Sequence, residues 1–194
     1  MGAVNRVIGG VLLATLLASG VVGVTGCGEK KPPPKPVAPP PPPPPPAPKQ
    51  IDVSSLLQTS KADKRVQFPQ EKAPVDDVVA LSVIDLASSI AKGDSKAMSN
   101  LMVNVGKDVL DQLLSSGQWE EATSKIEAVR VVELAAPGAK PESFTVSLAI
   151  QEPGVAYLVR FTGTQNNGKY VFTGMPGGRK THPRANQFDD GVLD

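Results

Sequence analysis

The chain has 194 residues, with 20 Lys and Arg against 19 Asp and Glu, a formal net charge of +1, and one Cys, one His and one Trp. This balance sets up no global field that would draw the chain to nucleic acid. A single cysteine excludes an internal disulfide, a Cys/His zinc site and a Cys–His dyad that draws on a domain cysteine. Beyond the first 50 residues, enough chain is left for one ordinary domain.

Residues 1–26 read as a secretory signal peptide. One positive charge, Arg6, precedes an uncharged and mostly apolar run from Val7 to Val24. The run ends in Val24-Thr25-Gly26-Cys27, which resembles the lipobox of bacterial lipoproteins. That resemblance implies fatty acylation of the Cys27 thiol, cleavage before Cys27 and acylation of the new amino terminus. The competing reading is an uncleaved transmembrane anchor, since about 20 apolar residues span a bilayer. Gly9, Gly10, Gly20 and Gly23, together with the placement of the only cysteine, favour the lipobox. Several acyl chains on one residue give stable membrane anchoring. Gly28 stands where the family's inner-membrane retention signal has Asp, so the implied location is the outer membrane facing the periplasm in a Gram-negative cell, and otherwise the lipid-anchored cell envelope.

Residues 27–50 form the lipid anchor and a Pro/Lys-rich spacer. Of the 20 prolines, 13 lie between Pro32 and Pro48, and Pro39–Pro46 are consecutive. Prolines in a row fix φ and remove every backbone donor, so polyproline II is the remaining low-energy state. At ~3.1 Å per residue the spacer reaches roughly 70 Å. Lys30, Lys31, Lys35 and Lys49 make it basic. A passive stalk is the plain reading. The alternatives are lysine contact with anionic headgroups or wall polymers, and a docking motif for a proline-recognition module.

Residues 51–73 are ambiguous: Leu56, Leu57, Val66 and Phe68 could strap onto a core, and the segment reads as a partly ordered lead-in. Pro74 opens a helical pattern in which Val79, Val83, Leu86 and Ile90 recur on one face. Ser82, Asp85, Ser89 and Lys92 form the opposite stripe, and Gly93-Asp94 stops this helix and caps the next. A second helix carries Met98, Leu101 and Met102 and is broken at Gly106; a third covers Asp108–Ser116. The period then changes to two. Strands are expected over 125–134, 143–151 and 155–163, and Asn166-Asn167-Gly168 predicts a hairpin into 169–174. Helices followed by an antiparallel meander make an α+β domain over residues 74–176, with the N-terminal helices packed on one face of a curved, cone-like sheet. Residues 177–194 show no periodicity and read as a disordered tail.

Ile84–Asp94 with its Gly93-Asp94 break, Trp119, and Gly168-Lys169-Tyr170-Val171-Phe172 together resemble the nuclear-transport-factor-two-like (cystatin-like cone) superfamily, over about Pro74 to Pro176. The resemblance implies a cone that either binds a ligand or, in the family's enzymes, uses an Asp or His at the pocket mouth as base. Few aromatic residues line the meander here, which reads against a large aromatic ligand.

The candidate chemistry is sparse. His182 lies in the expected tail, away from any rigid pocket. Asp85 is the one mid-helix carboxylate among apolar residues, and a solvated group facing Lys92 is its plain reading. No spacing of acidic residues points to a metal, and no cofactor is expected. Arg130 shares an alternating face with Ile126, Ala128, Val132 and Leu134, so it is either a rim arginine with a packed stem or an inward anchor for a small anionic ligand. Arg160 faces with Ala156, Leu158 and Thr162, and cross-strand pairing with Glu127 or Glu133 accounts for it plainly. Trp119, in the helix-to-strand linker, reads as a lid on the meander or as a ligand platform. Residues 74–176 hold 12 acidic against eight basic residues, a balance of −4. An acidic head on a basic stalk suits a domain that projects from an anionic surface. Three functions follow from the sequence: a binding or accessory module with a ligand or envelope-protein partner, a cone-fold hydrolase or isomerase, and a tether between membrane and wall or an envelope complex.

Overall fold

The computed structural model describes residues 51–138, 140–175 and 181–189. The expected signal peptide, the expected lipidation site Cys27 and the expected spacer lie outside the described residues. Within them, the chain forms five helices and a six-stranded, mostly antiparallel curved sheet that does not close, an α+β cone-like architecture as the periodicity predicts.

The long helix α2 (Asp77–Lys92) is built from the expected signals. The Asp76 carboxylate accepts the Val78 N–H, and Gly93 ends the helix at φ 67°. There the Gly93 N–H donates to Ile90 O and the Asp94 N–H to Ser89 O, which satisfies the last carbonyls in a Schellman motif. Asp94 then caps α3 (Ser95–Leu101) through the Ala97 N–H. The expected break at Gly106 is displaced. The chain turns at Met102 and Val103, and Gly106 lies inside α4 (Asn104–Ser115). The absent Cβ of Gly106 is where Met102 folds back, since a Cβ there would stand 2.7 Å from the Met102 methyl carbon. A further helix, α5 (Gln118–Ser124), occupies what reads in the sequence as a linker.

The strands run β1 (Val66–Gln67), β2 (Ala128–Ala135), β3 (Ser143–Glu152), β4 (Val155–Asn166), β5 (Lys169–Met175) and β6 (Thr181–His182). β1 to β5 neighbour one another in that order; β1 pairs parallel with β2, and β6 pairs with β4 beyond the end of β5. Phe144, Val146, Leu148 and Ile150 all face the helices, as the alternation of β3 predicts. Phe144 packs edge-on against Tyr170 and Phe172, at 5.0 and 5.8 Å between ring centres.

Two segments outside the expected domain bounds of 74–176 pack onto the domain. In residues 51–73, α1 (Val53–Thr59) and β1 bring Val53, Val66 and Phe68 into the main cluster with α2 and the sheet. The Asp63 N–H donates to the Ser88 hydroxyl, and Arg65 O accepts the Val129 N–H, so the lead-in is stitched to both layers. Periodicity misses this because two strand residues and a seven-residue helix are too short to show a period. The tail is also ordered at residues 181–189. After β6, a 3-10 turn (Ala185–Asp189) lays Ala185 and Phe188 on Val132, Ala149, Ala156 and Leu158, the outer face of the sheet. One aromatic ring in a polar stretch carries this contact, and one ring has no period.

Candidate functional site

Between the helices and the inner sheet face lies a cavity of about 180 Å³. Ile90 of α2, Met98 of α3 and Leu113 of α4 form its helical wall, and Ile150 of β3 with Val159 and Phe161 of β4 form its floor. α5 supplies the lip through Gln118, Trp119, Ala122 and Thr123. The α2 stop places this lip. Gly93 O accepts the Trp119 indole N–H at 2.9 Å, so the indole is fixed to the end of α2. A Cβ on Gly93 would stand 2.7 Å from Thr123 Oγ1, so only glycine permits this approach of α5.

Two hydroxyls of the lining are taken by protein acceptors. The Thr123 hydroxyl donates to Trp119 O at 2.8 Å, and the Tyr157 hydroxyl donates to Glu152 Oε1 at 2.9 Å. The interior is therefore hydrocarbon. Apolar cavities of about 150 Å³ stay dry and accept a benzene-sized guest. Of the lining residues, Gln118 and Ala122 are exposed, and Leu113, Tyr157 and Val159 are half-buried, which sets the mouth between α5 and β4.

Asp85 sits elsewhere. With Asn100 and Leu101 it lines two more polar clefts, of about 300 and 430 Å³, on the outer stripe of α2. Crowding by its neighbours pushes its carboxyl above the ordinary value, and the nearby Lys92 pulls it back in part. It lines no wall of the apolar cavity. Among the described residues no group of three or more His, Cys, Asp and Glu side chains could hold a metal ion. No helix among them is long and apolar enough to cross a membrane.

Of the three candidate ligand residues, the structure brings only Trp119 to the cavity. Arg130 and Arg160 both lie on the outer sheet face. The expected face of Arg130 needs correction. A bulge between Val131 and Glu133 shifts the phase of β2, so Ala128, Arg130 and Val132 point outward while Leu134 packs with the inner cluster. Arg130 is half-buried, and its Nη1 donates to Gln67 Oε1 at 3.4 Å. Arg160 lies across from Ser147, which lies across from Glu133, and the Ser147 hydroxyl donates to Glu133 Oε2. Glu133 therefore shares its cross-strand row. His182 pairs opposite Ala156 in β6 and stacks edge-on against Phe188, with ring centres 4.3 Å apart.

The residues that sequence reasoning missed are Tyr157 and Glu152. Both follow the inner-face alternation of β3 and β4. Tyr157 lines the cavity and its hydroxyl reaches Glu152, which does not; this pairing emerges only from the β3–β4 register, which sets Tyr157 opposite Ile150. No protein-family model matches the chain, and no curated protein matches it.

Proposed function

We propose that this protein is a lipid-anchored component of the bacterial cell envelope that holds a small ligand-binding domain away from the membrane on a stiff proline-rich stalk. One observation carries the binding half: the apolar cavity beneath Trp119, whose indole and hydroxyl groups are engaged with protein acceptors. A site with this lining recognises a compact hydrocarbon group by burial and shape. The lipobox-like Val24-Thr25-Gly26-Cys27 and the proline run that follows support the anchored display.

Trp119 is the only tryptophan of the chain, so its emission reports on the cavity alone. Titration with benzene is expected to shift that emission saturably, and Ala122→Leu at the exposed lip should abolish the shift without lowering the melting temperature. Emission that changes only in proportion to added benzene would refute the binding reading. For the anchor, Cys27→Ser should end incorporation of labelled palmitate, because a serine hydroxyl does not replace the thiol. Unchanged labelling would remove the lipoprotein assignment.

A further inference from the structure

The mouth of the cavity has a chemistry of its own. Inner-face residues of β3 alternate, so Ile150, which forms part of the floor, is followed on the same face by Glu152, about 7 Å further along the strand. The Tyr157 hydroxyl, from a lining side chain, donates to Glu152 Oε1 at 2.9 Å and holds the carboxylate in that row. Glu152 is half-buried. The chain around α5 is acidic as well, though its cavity-lining side chains are Gln118, Trp119, Ala122 and Thr123. Glu120 and Glu121 lie in α5 and Glu127 follows it, while Lys125, the one base of this stretch, already pairs with Glu121 at 3.0 Å. Both arginines of the sheet stand on its other face.

We propose that the cavity receives the short hydrocarbon end of a cationic amphiphile, an alkyl- or arylammonium of about six carbons, with Glu152 as the counter-charge at the mouth. This rests on the binding reading above. The apolar walls exclude the charged head from the interior, because burying an ammonium without a partner is strongly unfavourable. The head therefore stays at the lip, where the carboxylate attracts a cation and repels an anion. A guest much longer than six carbons would leave methylenes in water.

The test is titration of the full chain with hexylammonium, 1-hexanol and hexanoate, three probes with one tail and three heads, read by Trp119 emission. Hexylammonium should bind at least tenfold more tightly than hexanoate, a difference of about 1.4 kcal/mol, with 1-hexanol between them. Glu152→Gln keeps an acceptor for the Tyr157 hydroxyl; it should leave 1-hexanol binding unchanged and bring hexylammonium within twofold of it. Raised salt should narrow the spread in the parent protein. Equal binding of all three probes, or a preference that survives Glu152→Gln, would overturn the cationic head and leave the cavity reading standing. Uptake of none of them, 1-hexanol included, would overturn both.

Discussion

The two faces of the sheet are covered in different ways. On the inner face, Phe144, Leu148, Phe161 and Phe172 meet Val79, Val83 and Leu86 of a sixteen-residue helix, and large side chains interlock across a thick layer. The outer face, with Val132, Ala149, Ala156 and Leu158, is covered among the described residues by Ala185 and Phe188, from a short segment that Gln151 holds through Pro183 O and the Ala185 N–H. A helical layer has the depth to close over a void, so the cavity lies on the inner side. A thin strap has no such depth, and the sheet beneath it presents two small side chains, Ala149 and Ala156, where a ring can seat. Each cover also draws on a segment near one end of the described chain, residues 51–73 within and 181–189 without.

The sharpest way to break this comparison is to remove one seal at a time. A chain that begins at Pro74 lacks Val53, Val66 and Phe68, which amounts to roughly 5–8 kcal/mol of apolar burial, close to the whole stability of a small domain. It should show no cooperative thermal transition by circular dichroism; a sharp melt would return the lead-in to the status of a linker. Next in size is Leu148→Ala on the inner face, expected to cost ~2–5 kcal/mol in urea titrations, because the helices above cannot collapse into the space. Phe188→Ala should cost less, about 1–3 kcal/mol, since the strap can detach instead of enclosing a void. Hydrogen exchange should then quicken in residues 181–189 while inner-strand amides stay protected. A loss equal to that of Leu148→Ala would show that the two faces are equally integral.

The smallest effect is a pH dependence in the inner seal. Hydrogen bonds from the Arg65 side chain, 2.9 Å from Asp63 Oδ1, hold the Asp63 carboxyl down at about 2 from an ordinary 3.8. The folded state thus binds this proton less readily than the unfolded chain. The contribution, at most about 2 kcal/mol, is fully present above the ordinary value and disappears as pH falls through about 2. The stability gap between the parent protein and Asp63→Asn should therefore close across that window. A gap that stays constant down to pH 2 would mean that the pair adds no charge-dependent stability.

What was legible in the sequence is what has a period or a fixed turn chemistry. The apolar face of α2, its Gly93-Asp94 stop, the alternation of Phe144 to Ile150 and the Asn167-Gly168 hairpin all fall where pattern places them. Isolated contacts were not legible. Trp119 could be singled out as a large ring near the meander, yet α5 around it is seven residues with two buried side chains, too short to declare a face. The grouping of Arg130 with Leu134 fails because Val131 and Val132 are both apolar, so the extra residue, Val132, leaves no trace in the hydropathy. The cavity depends on distances between six elements, and no local window contains it.

The extra residue in β2 also separates two kinds of mutational tolerance. Exchanging Val132 for another apolar residue alters one contact beneath Phe188. Deleting it would join Val131 to Glu133 in strict alternation and leave Arg130 outward and Leu134 inward, whereas flattening the bulge with Val132 in place would turn Leu134 and Ala136 away from the inner cluster or carry Arg130 into it. Position 132 thus works as a spacer in the strand: both faces survive its removal, and one is lost if it stays while the bulge is flattened.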